Sequence, residues 1–492
     1  MVRLRRVAFA AVVTASGTAL GLLACTPHTT ALNVAHDSAP EAATTIAAVV
    51  DASIIAPAPA ANEHGLQDPA TYIEAHLPAN GTYTVDPPKL THKVQAGETA
   101  ATVAAAYLEL TELYTAAELA TALIKNNANF GAGSTVEVPA PLVHKIGAPK
   151  DERLGWPDGD PALKGVFVTG TYANIKWAEI VNQVADHGLN AIVLDSKDYD
   201  GYVNYPSKAK IAIESGALRA TNIPDLARAI RYAHWHGVRI ISRVPCFHDP
   251  WTDKHLPGAR LSIKYTPTNK PIHVDWLDPT STEAQDYAIE LAQESVDAGA
   301  DEVQLDYVRF PVHLTHKVAV LPQKEERSAI IKAFVKRVHA VTSSANARLS
   351  LDFFGVTATG IQDDIDMLGQ DIATVAPEAD AISLMSYPSH YGKGYMGFAN
   401  PADHAEIIGI GNKAAVGKLK PTGAKTVFRT WLQAFPLGVT HYNSAYLLAQ
   451  AKAAEASGGV GWLMWSPSCD YAPVWNGWPS KKAAVAAAVR QP

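Results

Sequence analysis

The stretch Asp301–Pro311, DEVQLDYVRFP, carries the groups best suited to chemistry. Val303, Leu305 and Tyr307 alternate with Gln304 and Asp306, and Pro311 closes the run. Such a pattern reads as a buried parallel strand that delivers a carboxylate, a phenol and a guanidinium at its C-terminal end. Burying a carboxylate beside large hydrophobes costs free energy unless partners hold it, so Asp306 with Arg309 nearby reads as chemistry. A structural Asp–Arg ion pair is the other reading of this strand taken alone. A second carboxylate, Asp352, sits in RLSLDFF (Arg348–Phe354) between Leu351 and Phe353.

The elements that must position these groups alternate from residue 164 onward. GVFVTG (Gly165–Gly170) reads as a strand, Ile175–His187 as a helix, AIVLD (Ala191–Asp195) as a strand, Pro224–His236 as a helix and RIISRV (Arg239–Val244) as a strand. Helical patterns over Ser281–Ala298 and Lys324–Ser344 bracket the organising strand, and Arg348–Phe354 follows. Asp363–Val375, Ala381–Met385, Ala402–Val416, Thr426–Leu432, Ser444–Ser457, Val460–Trp465 and Lys481–Arg490 complete the alternation. Eight strand–helix units of this kind predict an α/β fold, a (β/α)8 TIM barrel. A doubly wound open sheet is the alternative, weakened because no Gly-rich phosphate loop follows the first strand.

In a barrel the C-terminal strand ends share one face, and that face holds the site. Those ends carry Thr169 and Tyr172; Asp195, Lys197, Asp198 and Asp200; Arg243; Asp306, Tyr307 and Arg309; Asp352; Tyr387 and His390; Trp431 and Gln433; and Trp465. Carboxylates, arginines and aromatics thus converge from different strands. Ten Trp and 18 Tyr suit the flat apolar faces of sugar rings where they line a site mouth, and core where they do not.

The chain has 492 residues, enough for two or three domains. Its 41 Lys+Arg against 48 Asp+Glu give a net charge of -7, and no basic block follows residue 6, which excludes nucleic acid as an expected partner. Three cysteines, Cys25, Cys246 and Cys469, make no disulfide framework, and no CxxC or His/Cys cluster suggests a structural metal. The loop SKDYDG (Ser196–Gly201) opens like a calcium loop, but Ser207 stands where the closing Glu belongs. His234-Trp235-His236 lies at a helix end with its imidazoles facing different ways. No metal or cofactor is expected, and no Ser/His/Asp or cysteine nucleophile stands out.

Arg3, Arg5 and Arg6 precede an apolar run to Ala24, the pattern of a secretory signal. Leu22-Leu23-Ala24-Cys25 resembles the lipobox of bacterial lipoproteins. That resemblance implies a mature chain acylated on Cys25, anchored to a membrane of the cell envelope without spanning it. In a Gram-negative cell Thr26, in place of Asp, favours the outer membrane, and a secreted protein is the alternative. Residues 25–89, rich in Ala, Thr and Pro, read as a tether with a short helix near Pro69–His76. Residues 90–142 read as a separate module: a short strand with HKVQAGET (His92–Thr99), two helices, an Asn126-Asn127 turn and a closing strand STVEVP. The order resembles a LysM domain, which implies binding of N-acetylglucosamine-containing glycans such as peptidoglycan. The segment joining the helices is longer than that family's pattern, so a spacer with a LysM-like fold is the other reading. Residues 143–163 read as a linker.

Beyond it, several blocks in order resemble one family, the TIM-barrel proteins related to glycoside hydrolases and first catalogued as a domain of unknown function, DUF4015. They are KGVFVTG (164–170), DSKDYDGYVNYPS (195–207), DEVQLDYVRFP (301–311), LDFFG (351–355), MSYPSHYG (385–392) with Asn400-Pro401, and GWLMWSP (461–467). Phe353 stands where the family usually has a small or β-branched residue. The resemblance implies a glycoside hydrolase acting on a cell-envelope or extracellular polysaccharide. Glycoside cleavage needs one carboxyl to protonate the leaving oxygen and a second to attack or to activate water. By similarity to retaining barrels related to α-amylase, Asp306 is expected as nucleophile and Asp352 as acid/base, at the ends of strands four and five. Arg309 and Tyr307 are expected to hold Asp306 ionised. Asp195, Lys197, Asp198, Arg243, Tyr387, His390, Trp431, Gln433 and Trp465 are expected to contact the sugar. A non-catalytic glycan-binding lipoprotein is the alternative from another class.

Overall fold

The structure is a computed structural model that describes residues 65–156, 162–219 and 221–481. The signal-like leader, Cys25 and the first part of the expected tether lie outside those residues, as does nearly all of the expected terminal helix Lys481–Arg490.

The described chain opens with the short helix expected at Pro69–His76, capped by the Asp68 carboxylate on the Ala70 and Thr71 amides. Strands β1 (Gly81–Thr84), β2 (Lys89–Lys93) and β3 (Thr135–Val138) form an antiparallel sheet in the order β1-β2-β3. β1 falls in the stretch read as tether; Tyr83 alone gave it too little apolar character to be seen as a strand. Two helices, Ala100–Tyr107 and Ala116–Asn126, pack on β2 and β3. Thr99 and Thr115 close capping boxes at their starts. Asn127 ends the second helix by accepting from the Glu137 amide and donating to the Leu123 and Glu137 carbonyls, which ties that helix to β3.

The large domain is the expected (β/α)8 barrel. Its parallel strands are β4 (Leu163–Val168), β5 (Ala191–Asp195), β6 (Arg239–Pro245), β9 (Glu302–Asp306), β10 (Arg348–Phe354), β11 (Ala381–Met385), β12 (Val427–Phe428), β13 (Thr430–Gln433) and β14 (Gly461–Trp465). A two-stranded ribbon, β7 (Lys264–Tyr265) with β8 (Lys270–Pro271), stands apart in the loop after β6. The barrel order is β12-β11-β10-β9-β6-β5-β4-β14-β13. β12 and β13 are one seventh strand interrupted at Arg429: β12 pairs with β11 and β13 with β14, which closes the circle. The seam between the last and first strands needs Gly461, whose φ is +79° and whose missing Cβ would fall 2.0 Å from the Leu163 carbonyl oxygen.

Alternation decides what fills the barrel. On β9, Val303 and Leu305 are fully buried in the main apolar core, while Glu302, Gln304 and Asp306 face the interior in successive layers. At the floor, Arg429 donates to both Glu302 oxygens, 3.0 and 2.7 Å, with both side chains buried. Above it Gln304 donates to Ser383, 3.1 Å. Asp306 tops the column.

The stretch read as a linker closes the underside of the barrel. Arg153, buried, donates to the carbonyls of Val296, Ala300 and Ala345, and Trp156 packs under the guanidinium groups of Arg239 and Arg348. The small domain is docked as firmly. Arg228, on the helix Leu226–Trp235, gives its donors to the carbonyls of Leu108, Thr111, Leu113 and Tyr114 and to Glu109, and His144 stacks on Trp235.

The floor pair gives a stability test. Arg429→Met leaves the Glu302 carboxylate buried without its partner, so chemical denaturation should show a loss of about 3–5 kcal/mol. The double variant with Glu302→Leu removes the orphaned charge and should recover much of it; a double variant as unstable as the single would contradict the assignment.

Candidate active site

The site is built around Arg243. On β6 it is in register with Asp195 of β5, and Pro245 two residues on is in register with Asp306 of β9. From there the guanidinium reaches three carboxyls. Nη1 bonds Asp195 Oδ1; Nη2 and Nε donate to Asp306 Oδ2 at 2.5 and 3.2 Å; and Nε stands 3.8 Å from Asp352 Oδ2. The other Asp306 oxygen accepts from the Tyr307 amide, 2.5 Å. That contact needs the chain to turn at once, and Tyr307 sits in the left-handed region with φ +51°, a strained conformation for a bulky residue. Asp352 Oδ1 accepts from the Trp431 indole N–H, 2.7 Å, while its Oδ2 has no hydrogen-bond partner.

One guanidinium cannot neutralise three buried carboxylates, so at least one holds a proton. Burial pushes Asp352 well above the ordinary carboxylate range, the Asp306 charge pushes it further, and the pulls of Arg243 and the Trp431 N–H do not offset them. Burial also raises Asp195 to about 8 despite its Arg243 bond. Burial acts against the charge on Arg243, but the Asp195, Asp306 and Asp352 carboxylates outweigh it and hold its pKa well above the usual value. The result is asymmetry between neighbours. Asp306 is gripped by a cation and an amide, and Asp352 is held neutral beside it.

An aromatic wall rises beside the carboxyls from β4, β11, β13 and β14. Trp465 lies 5.5 Å from Tyr387, 5.2 Å from Phe435 and 6.3 Å from Phe167, and His390 meets Tyr387 edge-on at 5.1 Å. Burial lowers the His390 pKa to about 4, so its ring is a neutral part of the wall.

Other expected contacts go elsewhere. Lys197 is buried, paired with Asp249 at 2.7 Å and bonded to the Pro245 carbonyl at 3.0 Å, which leaves it no free reach to a sugar. Asp198 accepts from Asn204 and pairs with Arg219, and burial lifts its pKa to about 6. Gln433 spends its amide on the carbonyls of Phe435 and Leu437 and on the Ser389 amide, so it stitches two loops together. Trp431 is buried and acts on Asp352 through its N–H. Arg309 does not bond Asp306; the expected role of holding that carboxylate falls to Arg243, because the left-handed turn at Tyr307 carries the following side chains away. The Tyr307 ring lies instead against His248, 4.7 Å between centroids. The two histidines of His234-Trp235-His236 part as expected, Nε2 of His234 to Asp301 and Nδ1 of His236 to the Tyr232 carbonyl.

Phe167, Phe435, His248 and Trp276 also line the site, beyond the residues expected there. Phe167 was legible as an inward position of GVFVTG, and Phe435 as the second residue past β13. His248 and Trp276 belong to the long connection between β6 and β9, whose helix Pro250–His255 and β7–β8 ribbon are too short to show a period.

Residues 165–471 match the model of the family DUF4015, described as "Putative glycosyl hydrolase domain". The chain belongs to this family. A DUF4015 barrel is therefore assigned to glycoside hydrolase-type domains at family level. A search of curated proteins returns no match. Among solved structures, a hypothetical protein from Ruminiclostridium thermocellum is 28% identical, covering 38% of this chain and 96% of that one, with a TM-score of 0.34. The PgaB (BpsB) glycoside hydrolase domain from Bordetella bronchiseptica is 14% identical over 62% of this chain and 94% of that one, TM-score 0.48. An endo-beta-1,4-mannanase from Thermotoga petrophila is 13% identical over 63% and 68%, TM-score 0.43.

The protonated state of Asp352 has a measurable signature. Its folded pKa lies above the unfolded value, so the stability it contributes is present at acid pH and is lost as pH rises from about 4 through the folded value. Asp352→Asn removes that loss. Thermal unfolding at several pH values should show the variant gaining on the parent as pH rises, by up to about 1.4 kcal/mol per pH unit; a constant difference would mean Asp352 is ionised in the fold.

Proposed function

We propose that the barrel hydrolyses a glycosidic bond in a polysaccharide, with Asp306 as nucleophile and Asp352 as acid/base. The observation that carries the reading is the unequal treatment of two neighbouring carboxyls by Arg243. Asp306 Oδ2 and Asp352 Oδ2 lie 3.2 and 3.8 Å from the same Nε, so their separation is at most the sum of those lengths. That bound, which holds for one oxygen of each carboxyl, is compatible with the ~5 Å spacing of retaining enzymes. Asp352 holds the proton that the leaving oxygen needs, on an Oδ2 without a partner of its own. Trp431 fixes the other oxygen and so the direction of that proton. Asp306 attacks the anomeric carbon; the glycosyl ester is then hydrolysed by a water from which Asp352, now ionised, takes a proton. The wall of Trp465 and Tyr387 offers the stacking faces for a sugar.

One observation favours a binding-only role: Asp306 and Asp352 are only 5% and 1% exposed, and Asp306 is held in a buried ion pair. Reducing-sugar release from peptidoglycan and bacterial exopolysaccharides separates the two. Hydrolysis predicts release by the parent and a fall of at least about 10²-fold in both Asp306→Asn and Asp352→Asn. On an aryl glycoside whose leaving group needs no proton, Asp352→Asn should retain its glycosylation step. A parent that binds glycans and never cuts them would leave the binding role.

The reading extends to the cell envelope. The β2–helix–helix–β3 order of residues 90–142 supports a LysM-like module that holds peptidoglycan, and LLAC supports lipidation of Cys25 and outer-membrane anchoring. Cys25→Ser should then move the protein from the membrane to the soluble fraction, and an unchanged distribution would remove the anchor from the proposal.

A further inference from the structure

The flank opposite the aromatic wall, built from the ends of β5, β6 and β9, has a different chemistry. Tyr199 stacks on His248 at 5.2 Å, and His248 on Tyr307 at 4.7 Å. Next to this stack lies Arg309, 6% exposed, with its guanidinium carbon 4.2 Å from the Phe354 ring, 4.6 Å from Trp276 and 5.5 Å from Tyr307. A cation boxed in by rings loses its hydration and normally gains a carboxylate in exchange. Arg309 has none: among the described residues no acidic group stands within ion-pair distance of it. Asp306 is near enough to feel its charge but is taken up by Arg243 and the Tyr307 amide. Asp275, whose charge reaches the neighbouring His248 and His313, is paired with Lys254 at 2.8 Å.

The orientation of the guanidinium is informative. Nη1 donates to the Phe310 carbonyl, 3.1 Å, which fixes the plane. Nε and Nη2 have no partner among the described residues and are not sealed from solvent. That pair of N–H groups is the edge that takes a carboxylate through two parallel hydrogen bonds. The segment that follows, His313 to Lys317, adds the exposed side chains of His313, His316 and Lys317 on the same loop.

We propose that Arg309, framed by Trp276, Phe354 and Tyr307, is a carboxylate-binding subsite, and that the glycan bound across Asp306 carries an acidic sugar residue, a uronate, on this flank. The subsite rests on the hydrolase reading only for its place beside the scissile bond. Its binding is measured without cleavage.

The test uses the full chain with Asp352→Asn, which stops turnover without freeing Arg243 as Asp306→Asn would. Binding of polygalacturonate, alginate and hyaluronan oligosaccharides is compared with that of their carboxyl-reduced counterparts by calorimetry. At least one acidic oligosaccharide should bind about 10-fold or more tighter than its reduced form. Arg309→Gln should abolish that difference, with the loss of affinity falling on the acidic form, and Arg309→Lys should restore part of it. Equal affinity for acidic and reduced forms, a preference that survives Arg309→Gln, or no binding of any acidic oligosaccharide overturns the subsite. Because the first comparison needs no change at Arg309, it stands even where Arg309→Gln does not fold. Acid-selective binding by a parent that cuts none of these glycans would leave the subsite in place and remove the hydrolase reading instead.

Discussion

One guanidinium shared among three carboxyls is the constraint on which the top of this barrel depends. Arg243 can satisfy Asp195 and Asp306 closely only by standing off from Asp352. In that buried setting Asp352 has the weakest hold on the cation, and burial together with the Asp306 charge raises its pKa well above the usual carboxylate range. The strand register sets it up: Asp195 lies directly across from Arg243 on one neighbouring strand, and Asp306 across from Pro245 on the other. The chemistry of the site is therefore a consequence of where three strands end. The interior below follows the same logic, with Glu302 and Arg429 matched at the floor.

Much of the barrel was legible in the residues. Ala191–Asp195, Arg348–Phe354 and Ala381–Met385 stand as read, because buried parallel strands leave continuous apolar runs. Lys324–Ser344 also stands as read, its helical period sustained over many turns. Asp363–Val375 breaks into Gln362–Leu368 and Ile372–Val375, since Gly369 at φ +72° ends the first helix. Thr426–Leu432 is interrupted at Arg429, whose side chain must enter the barrel to meet Glu302.

The site was legible by position and less so by partner. Strand-end residues could be named, because the face they share follows from the fold. Which of them touch could not, since a side chain's direction depends on turns that no period reveals. The left-handed Tyr307 is the clearest instance, sending Arg309 away from the carboxylate it follows in sequence. Lys197 and Gln433 show the same limit: both stand at strand ends, and both are consumed in holding loops.

The docking of the small domain through Arg228 bears on how the chain comes apart. Five acceptors in the segment between the two module helices converge on that one buried side chain. Undocking would strip a guanidinium of its acceptors, and would leave the carbonyls to find water together. The module and the barrel's second helix are thereby bound into a single cooperative unit, so that opening one exposes the other. A protease or a pulling force acting on the module would be felt in the barrel wall, at the helix that leads directly into β6 and Arg243.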